Sequence, residues 1–449
     1  MNFLVMKSSW FYRTSQGQKH QKSNAKQKGK HTNMNKVKHK FLAQSVLLSA
    51  LTIPSFGGDI AADLGNISSG DPASDFCDAF VNMGKLYKDD DNPWIQEFKV
   101  HGRINFQAAT FDGNDVNGRD FETDFAEVRR IRIGNKIKFL DYFNLKFTAN
   151  MGLDNRPKGR DLTWGYENLD ECFVGIDLKK ALNLNSLDKL HLLYGVPKFD
   201  LGGESYESSK KIVTAERSGV SNKVYVDGIR PTGFKLSAIK QDWDFLLGLY
   251  STEENPEFDA KWNQGLAYQG TLGYQMNDEH KLVADFLYND SGVGQENQWT
   301  YEWALSLRSE YVADRWGVMT EGFVGDNGDE ANGVTKAERQ GHFWAAVITP
   351  YYYIIPDRLQ LGFQYQYSAS TGDEGVRTSS RYLRRNHADP TVDVGGGRGN
   401  EHHSYYLGLN YLLCDHNAKI MTGIQYDDLN AEEGKVTGTT YWFAYRTFF

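Results

Sequence analysis

The chain has little cysteine, little proline and no long apolar run, and each shortage removes a class of protein. Cys77, Cys172 and Cys414 are the complete cysteine set. An odd number without metal-ligand spacing predicts neither a disulfide framework nor a metal centre. No stretch approaches the roughly 20 consecutive apolar residues of a helical membrane span. No serine motif accompanies His387, His402, His403 or His416, so nothing pairs a nucleophile with a base. Acidic loops such as Glu253-Glu254 and Asp326–Glu330 lack strict EF-hand spacing, and neither metal nor cofactor is expected. Against 10 prolines stand 44 glycines, 25 tyrosines, 26 phenylalanines and 10 tryptophans. That balance describes a protein built almost wholly of strands.

Acidic residues are missing from positions 1–40, which hold ten Lys or Arg. The uncharged apolar run Phe41–Ile53 follows, then Pro54 and the segment Ser55–Gly58. This is the order of a secretory signal. An ordinary signal of this kind starts near Met34 and is cleaved near Gly57–Gly58, so residues 1–57 are read as an extension plus signal peptide. Without those ten cations, 40 of the 50 basic residues remain against 58 acidic ones. An acidic mature chain argues against nucleic acid as a partner.

Alternation is what the remaining sequence has in abundance. Apolar and polar residues alternate through Phe98–Gln107, Ile131–Phe139 and Phe143–Met151. The pattern returns in Trp243/Phe245/Leu247/Leu249, Leu282/Ala284/Phe286/Tyr288 and Trp299/Tyr301/Trp303/Leu305/Leu307. It closes the chain as Tyr441/Phe443/Tyr445, ending on Phe449. A period of two with one apolar face is a β-strand, and sixteen strands are expected, some less marked, as at 223–239. Longer connections (112–124, 154–167, 200–222, 369–401, 428–437) alternate with shorter ones (140–142, 179–188, 240–242, 414–416). Elaboration at one end and an even strand count predict an all-β fold: a transmembrane antiparallel up-and-down β-barrel of about 16 strands, residues 98–449. Lipid forces closure, because every backbone group must pair within the protein. The terminal strand must therefore meet strand one at Phe98–Phe111, with Tyr441, Phe443 and Tyr445 facing outer-membrane lipid. Sixteen strands enclose an aqueous lumen. Residues 58–97, weakly helical at Phe76–Tyr87, form a short N-terminal periplasmic segment.

Several local runs occur together in order: Val100-His101-Gly102-Arg103-Ile104, Val128–Gly134, Tyr194-Gly195-Val196-Pro197-Lys198-Phe199, Glu216-Arg217-Ser218 and Leu407-Gly408-Leu409-Asn410-Tyr411. With them the chain resembles the phosphate-selective porin O and P family across about residues 95–449. The resemblance implies a sixteen-stranded outer-membrane channel, usually a homotrimer, that passes small anions by diffusion. It also implies that the connection 200–222 folds into the lumen as its constriction.

With apolar side chains outward, Lys99, Arg103, Arg130, Arg132, Lys136, Lys138 and Lys146 face the lumen from three consecutive strands. Lys210, Lys211 and Arg217 join them from the constriction loop. Cationic rings and ladders select anions, and arginine adds planar donors suited to phosphate oxygens. These ten residues are the candidate anion pathway, although Glu204, Glu207 and Glu216 share the loop. Arg129 has lipid parity, which points to a rim or bulge. Arg377, Arg381, Arg384, Arg385 and Arg398 crowd one long loop, where they would draw anions to the mouth. The competing readings are a non-channel barrel acting as adhesin or surface scaffold, and a barrel-based enzyme. The solutes expected are small anions or other small hydrophilic molecules.

Overall fold

The computed structural model describes residues 72–152, 165–225, 230–253, 262, 263, 265–291, 297–328, 337–383 and 389–449. The expected signal peptide, the start near Met34 and residues 58–71 lie outside the described residues, as do Arg384, Arg385 and His387. A helix, Pro72–Asn82, and a short strand β1 (Lys85–Lys88) lead into the wall strands β2 (Ile95–Asn114), β3 (Asp120–Phe139), β4 (Phe143–Met151) and β5 (Tyr166–Asp177). The wall continues through β6 (Lys189–Val196), β7 (Gly233–Lys240), β8 (Trp243–Ser251), β9 (Gly265–Gln275), β10 (His280–Ser291) and β11 (Trp303–Val312). Next come β12 (Trp316–Asp326), β13 (His342–Ile355) and β14 (Leu359–Ser370). A two-residue ribbon, β15 (Val376–Arg377) with β16 (Arg398–Gly399), precedes β17 (Glu401–Leu412), β18 (Ala418–Ala431) and β19 (Gly434–Phe448).

Each of the sixteen wall strands pairs antiparallel with its neighbours, and β19 closes the ring on β2, with Tyr441 opposite Thr110 and Phe448 opposite Arg103. The expected seam is therefore present. Its outer surface carries Phe245, Leu247, Leu272, Phe286, Leu407 and Tyr441, all exposed where lipid would lie. Paired aromatics mark both edges of that band. Tyr268 faces Tyr288 and Tyr405 faces Tyr426 at one end, while Trp243 faces Tyr274 and Trp316 faces Tyr352 at the other. Amphipathic rings gather at such levels because one side of them is apolar and the other can meet water. Most turns at the end that holds Phe449 are short, the connection 178–188 with its helix Leu178–Ala181 being the longer exception. In the three-residue turn 140–142, Leu140 and Asp141 both take positive φ, 50° and 65°, which reverses the chain sharply between β3 and β4.

The structure departs from the sequence expectations in five places. The connections expected at 112–124 and 428–437 shrink to 115–119 and 432–433, because β2, β3, β18 and β19 run on past the apolar band. A barrel strand needs only about 9–11 residues to cross the bilayer, so the 20 residues each of β2 and β3 stand well clear of it. Among the described residues of 223–239, only β7 is a strand, and Gly219–Val224 is helical. Trp299 and Tyr301 share the parity of β11 yet are fully buried in a loop inside the barrel; alternation cannot tell a lipid face from an internal apolar contact. The helix sits at Pro72–Asn82 rather than Phe76–Tyr87, with β1 after it. Finally, a disulfide joins Cys77 to Cys414 across 337 residues, and only Cys172 is free. That bond ties the helix to the turn between β17 and β18, a juxtaposition created by barrel closure and invisible in spacing.

Candidate functional site

The connection between β6 and β7 turns into the barrel at Phe199 and passes through two short helices, Gly203–Tyr206 and Gly219–Val224. Its apolar side chains explain why it stays there. Phe199, Leu201, Val220, Val224 and Tyr225 pack with inward-facing Tyr250, Leu287, Phe323, Phe343 and Val347, and with Trp299 and Tyr301. The lumen is thus partly a packed core, not only the aqueous space expected of sixteen strands. Loop backbone removed from water must find partners, and the wall supplies them. Gly203 N donates to both oxygens of Glu321 at 2.9 and 3.0 Å. Lys419 Nζ donates to Ile212 O at 2.8 Å, Asn410 Nδ2 to Val213 O at 2.9 Å, and Arg446 to Ser209 O at 2.9 Å and to Ala215 O.

With the loop held on that side, open space remains along β2–β5. It is a cavity of about 1290 Å³ lined by thirteen Lys or Arg and six Asp or Glu. The whole sequence has the opposite balance, −8, so the cationic excess is local. A bulge shapes it: Asn105 pairs with Arg130 and Phe106 with Val128, leaving Arg129 as the extra residue. The bulge turns Arg129 inward, where its Nε meets Glu216 at 2.9 Å, and it restores the inward parity of Arg130 and Arg132.

Comparison with known proteins settles the family. The family model for the phosphate-selective porin O and P matches residues 98–330, just over half of the chain. The chain belongs to that family. Among solved structures, it is similar to the anion-selective porin from Comamonas acidovorans, with a TM-score of 0.51 and 10% identity over 79% of this chain and 99% of that one. It is also similar to the outer membrane channel DcaP of Acinetobacter baumannii (TM-score 0.49, 11% identity, 81% and 99% covered) and to OmpT of Vibrio cholerae (0.49, 10%, 81% and 99%). No curated relative matches the sequence. Family and fold together make the protein an outer-membrane channel.

Nine of the ten candidate residues line this porin's cavity: Lys99, Arg103, Arg130, Arg132, Lys136, Lys146, Lys210, Lys211 and Arg217. Lys138 does not; it pairs with Glu97 at 3.1 Å, half exposed near the end of β3. The nine fall into two groups. Arg132 is bound to Asp170 at 2.7 Å, Lys146 to Glu171, and Arg217 to the loop carbonyls of Glu204 (2.6 Å) and Glu207 (3.0 Å). Among the described residues, no carboxylate lies within 4.0 Å of Lys99, Arg103, Arg130, Lys136, Lys210 or Lys211. Arg103 NH1 donates to Ser209 Oγ at 2.6 Å, while its buried Nε has no partner.

Electrostatics in the constriction loop follow from this crowding. Burial, then the charges of Arg103, Lys146 and Lys99, bring the Lys210 ammonium down to about 7, although its Nζ rests 3.9 Å over the Phe448 ring. Burial alone would raise the Glu216 carboxyl, but Arg129, Arg381 and Arg130 outweigh it and hold it well below the usual range. Glu216 therefore stays ionised, a counter-charge for the arginines around it. Sequence reasoning missed Lys198, Arg230 and the inward reach of Arg381. Arg230 binds Asp170 at 2.8 Å opposite Arg132. These residues sit in loops, where no strand parity exists to mark them. His402, which no serine motif accompanies in the sequence, is buried between Gln366 and Asp427 at 2.8 and 2.9 Å.

Proposed function

We propose that this porin passes small anions, phosphate-like ones among them, by passive diffusion along the cavity beside β2–β5. One observation carries the reading: six cavity cations without a carboxylate partner among the described residues, set in an acidic protein. Fixed cations in a narrow passage replace part of the hydration an anion loses there. The two unpaired arginines add forked donors that match phosphate geometry. The anion selectivity in the name of the Comamonas porin agrees with this reading. The protein acts in outer-membrane lipid as a homotrimer, without catalysis and without cofactor, after removal of residues 1–57. Residues 58–97 lie on its periplasmic side.

The test is a planar bilayer under a salt gradient. The wild type gives an anion-directed reversal potential, and phosphate lowers the chloride current. Arg103→Gln with Lys210→Gln and Lys211→Gln moves the reversal potential toward zero, whereas Lys138→Gln leaves it in place. A cation-directed reversal potential in the wild type would overturn the anion assignment. Absence of phosphate block would remove phosphate from the solutes.

A further inference from the structure

The long loop between β14 and β17 does not stay at the mouth. Its strip Thr378–Leu383 is buried, every residue at most 5% exposed. Ser379 Oγ accepts from Gln425 Nε2 at 2.8 Å and lies 3.2 Å from Ser404 Oγ, while Ser380 Oγ is 3.3 Å from Thr440 Oγ1. Tyr382 goes furthest. Its ring stacks on Phe125 at 4.7 Å and lies 5.4 Å from the Trp442 ring, and its hydroxyl donates to Glu127 at 2.7 Å and accepts from Gln107 at 2.9 Å. Arg381 meets the carboxylate of Glu127 at 3.5 Å and that of Glu216, on the other loop, at 3.9 Å. Gln107 Nε2 also reaches Glu216 at 3.0 Å. The two loops and the β2–β3 wall thus meet at one polar junction.

We propose that this second loop is a constriction element in its own right: the strip 378–383 seals the lumen sector in front of β17–β19 and β2, and so confines solute to the basic cavity. The chemistry of the sealed sector gives the strip a role in selectivity. Without the strip, the wall at its level would show Ser404, Gln425, Asp427 with His402 beside it, Thr440, Gln107 and Glu127, a set with two carboxylates and no lysine or arginine. Opening it would add a second path with the opposite charge bias. Arg381 and Tyr382 act here as positioning residues, joining the strip to Glu216 and Glu127. The conductance consequence rests only on channel activity; the selectivity consequence rests on the anion reading above.

Two measurements test the proposal on the full-length protein. Replacing residues 378–383 with a Gly/Ser strip of equal length should raise single-channel conductance by roughly twofold and shift the reversal potential toward cations. Folding of that variant is checked by heat-modifiable migration on gels. The pair Ser380→Cys and Thr440→Cys should cross-link under oxidant, with conductance and reversal potential kept at wild-type values. A folded strip variant with unchanged conductance, or a double-cysteine protein that never cross-links, overturns the second constriction. Raised conductance with an unshifted reversal potential would keep the seal and refute the charge bias of the sealed sector. Failure of the wild type to prefer anions would leave the conductance result standing, so the two readings fail separately.

Discussion

Arg446 and Lys419 offer the sharpest test of how the lumen is built. Both are inward-facing cations in strands, fully buried, and they spend their donors on loop carbonyls rather than on solute. Arg446→Met with Lys419→Met keeps comparable bulk and removes three charge-assisted hydrogen bonds to Ser209, Ile212 and Ala215. Bonds of this type contribute about 1.5–3 kcal/mol each, so the pair accounts for about 4.5–9 kcal/mol. Holding residues 208–216 in one conformation costs about 1–2 kcal/mol per residue, or roughly 9–18 kcal/mol in all. What remains in the double variant holds the two ends of the segment, Ser209 through Arg103 and Glu216 through Arg129 and Gln107, and leaves its middle, 210–215, with the bond from Asn410 to Val213 and the burial of Ile212 and Ala215. That middle should then detach for part of the time, while the loop ends stay docked through Gly203–Glu321 and the aromatic cluster. Single-channel recording should show added open-channel noise and sub-conductance steps, with the barrel still heat-modifiable. Quiet, wild-type currents from a folded double variant would refute the clamp argument.

Three further outcomes are expected. Because Lys210 titrates near 7, its charge is present below that pH and lost above it; anion preference should fall as pH rises from 6 to 8.5, and Lys210→Arg should abolish the step. Cys77→Ser should lower resistance to urea by about 2–4 kcal/mol, as removal of a native cross-link does; identical unfolding with and without reductant in the wild type would disprove the bond. A Cβ at Gly102 would lie 2.5 Å from the Phe449 ring, which also packs on Phe80. Gly102→Val should therefore destabilise the seam by about 1–3 kcal/mol, read as a smaller folded fraction on unheated gels, and Phe449→Ala in the same chain should recover it.

The sequence by itself determined the wall. Parity along β2, β4 and β19 says which side chains face lipid, because a strand alternates faces whatever surrounds it. Connection lengths said which end carries the loops, and the aromatic terminus marked the seam at Gly102–Phe449. Arg129, a charge on the lipid parity of its strand, pointed to a rim or a bulge, and the structure has the bulge. Tertiary structure decided the interior. Trp299 and Tyr301 carry the alternation of a strand but serve as packing for a loop, since an apolar face is satisfied equally by lipid or by Phe199 and Phe343. Of the candidate cations, only geometry separates Lys138, drawn off to Glu97, from Arg103, left facing the cavity. Cys77 and Cys414, like Arg381 and Glu216, meet only after the ring closes and the loops fold inward. A local pattern fixes the face a residue occupies; the partner it meets across a lumen depends on chain hundreds of residues away.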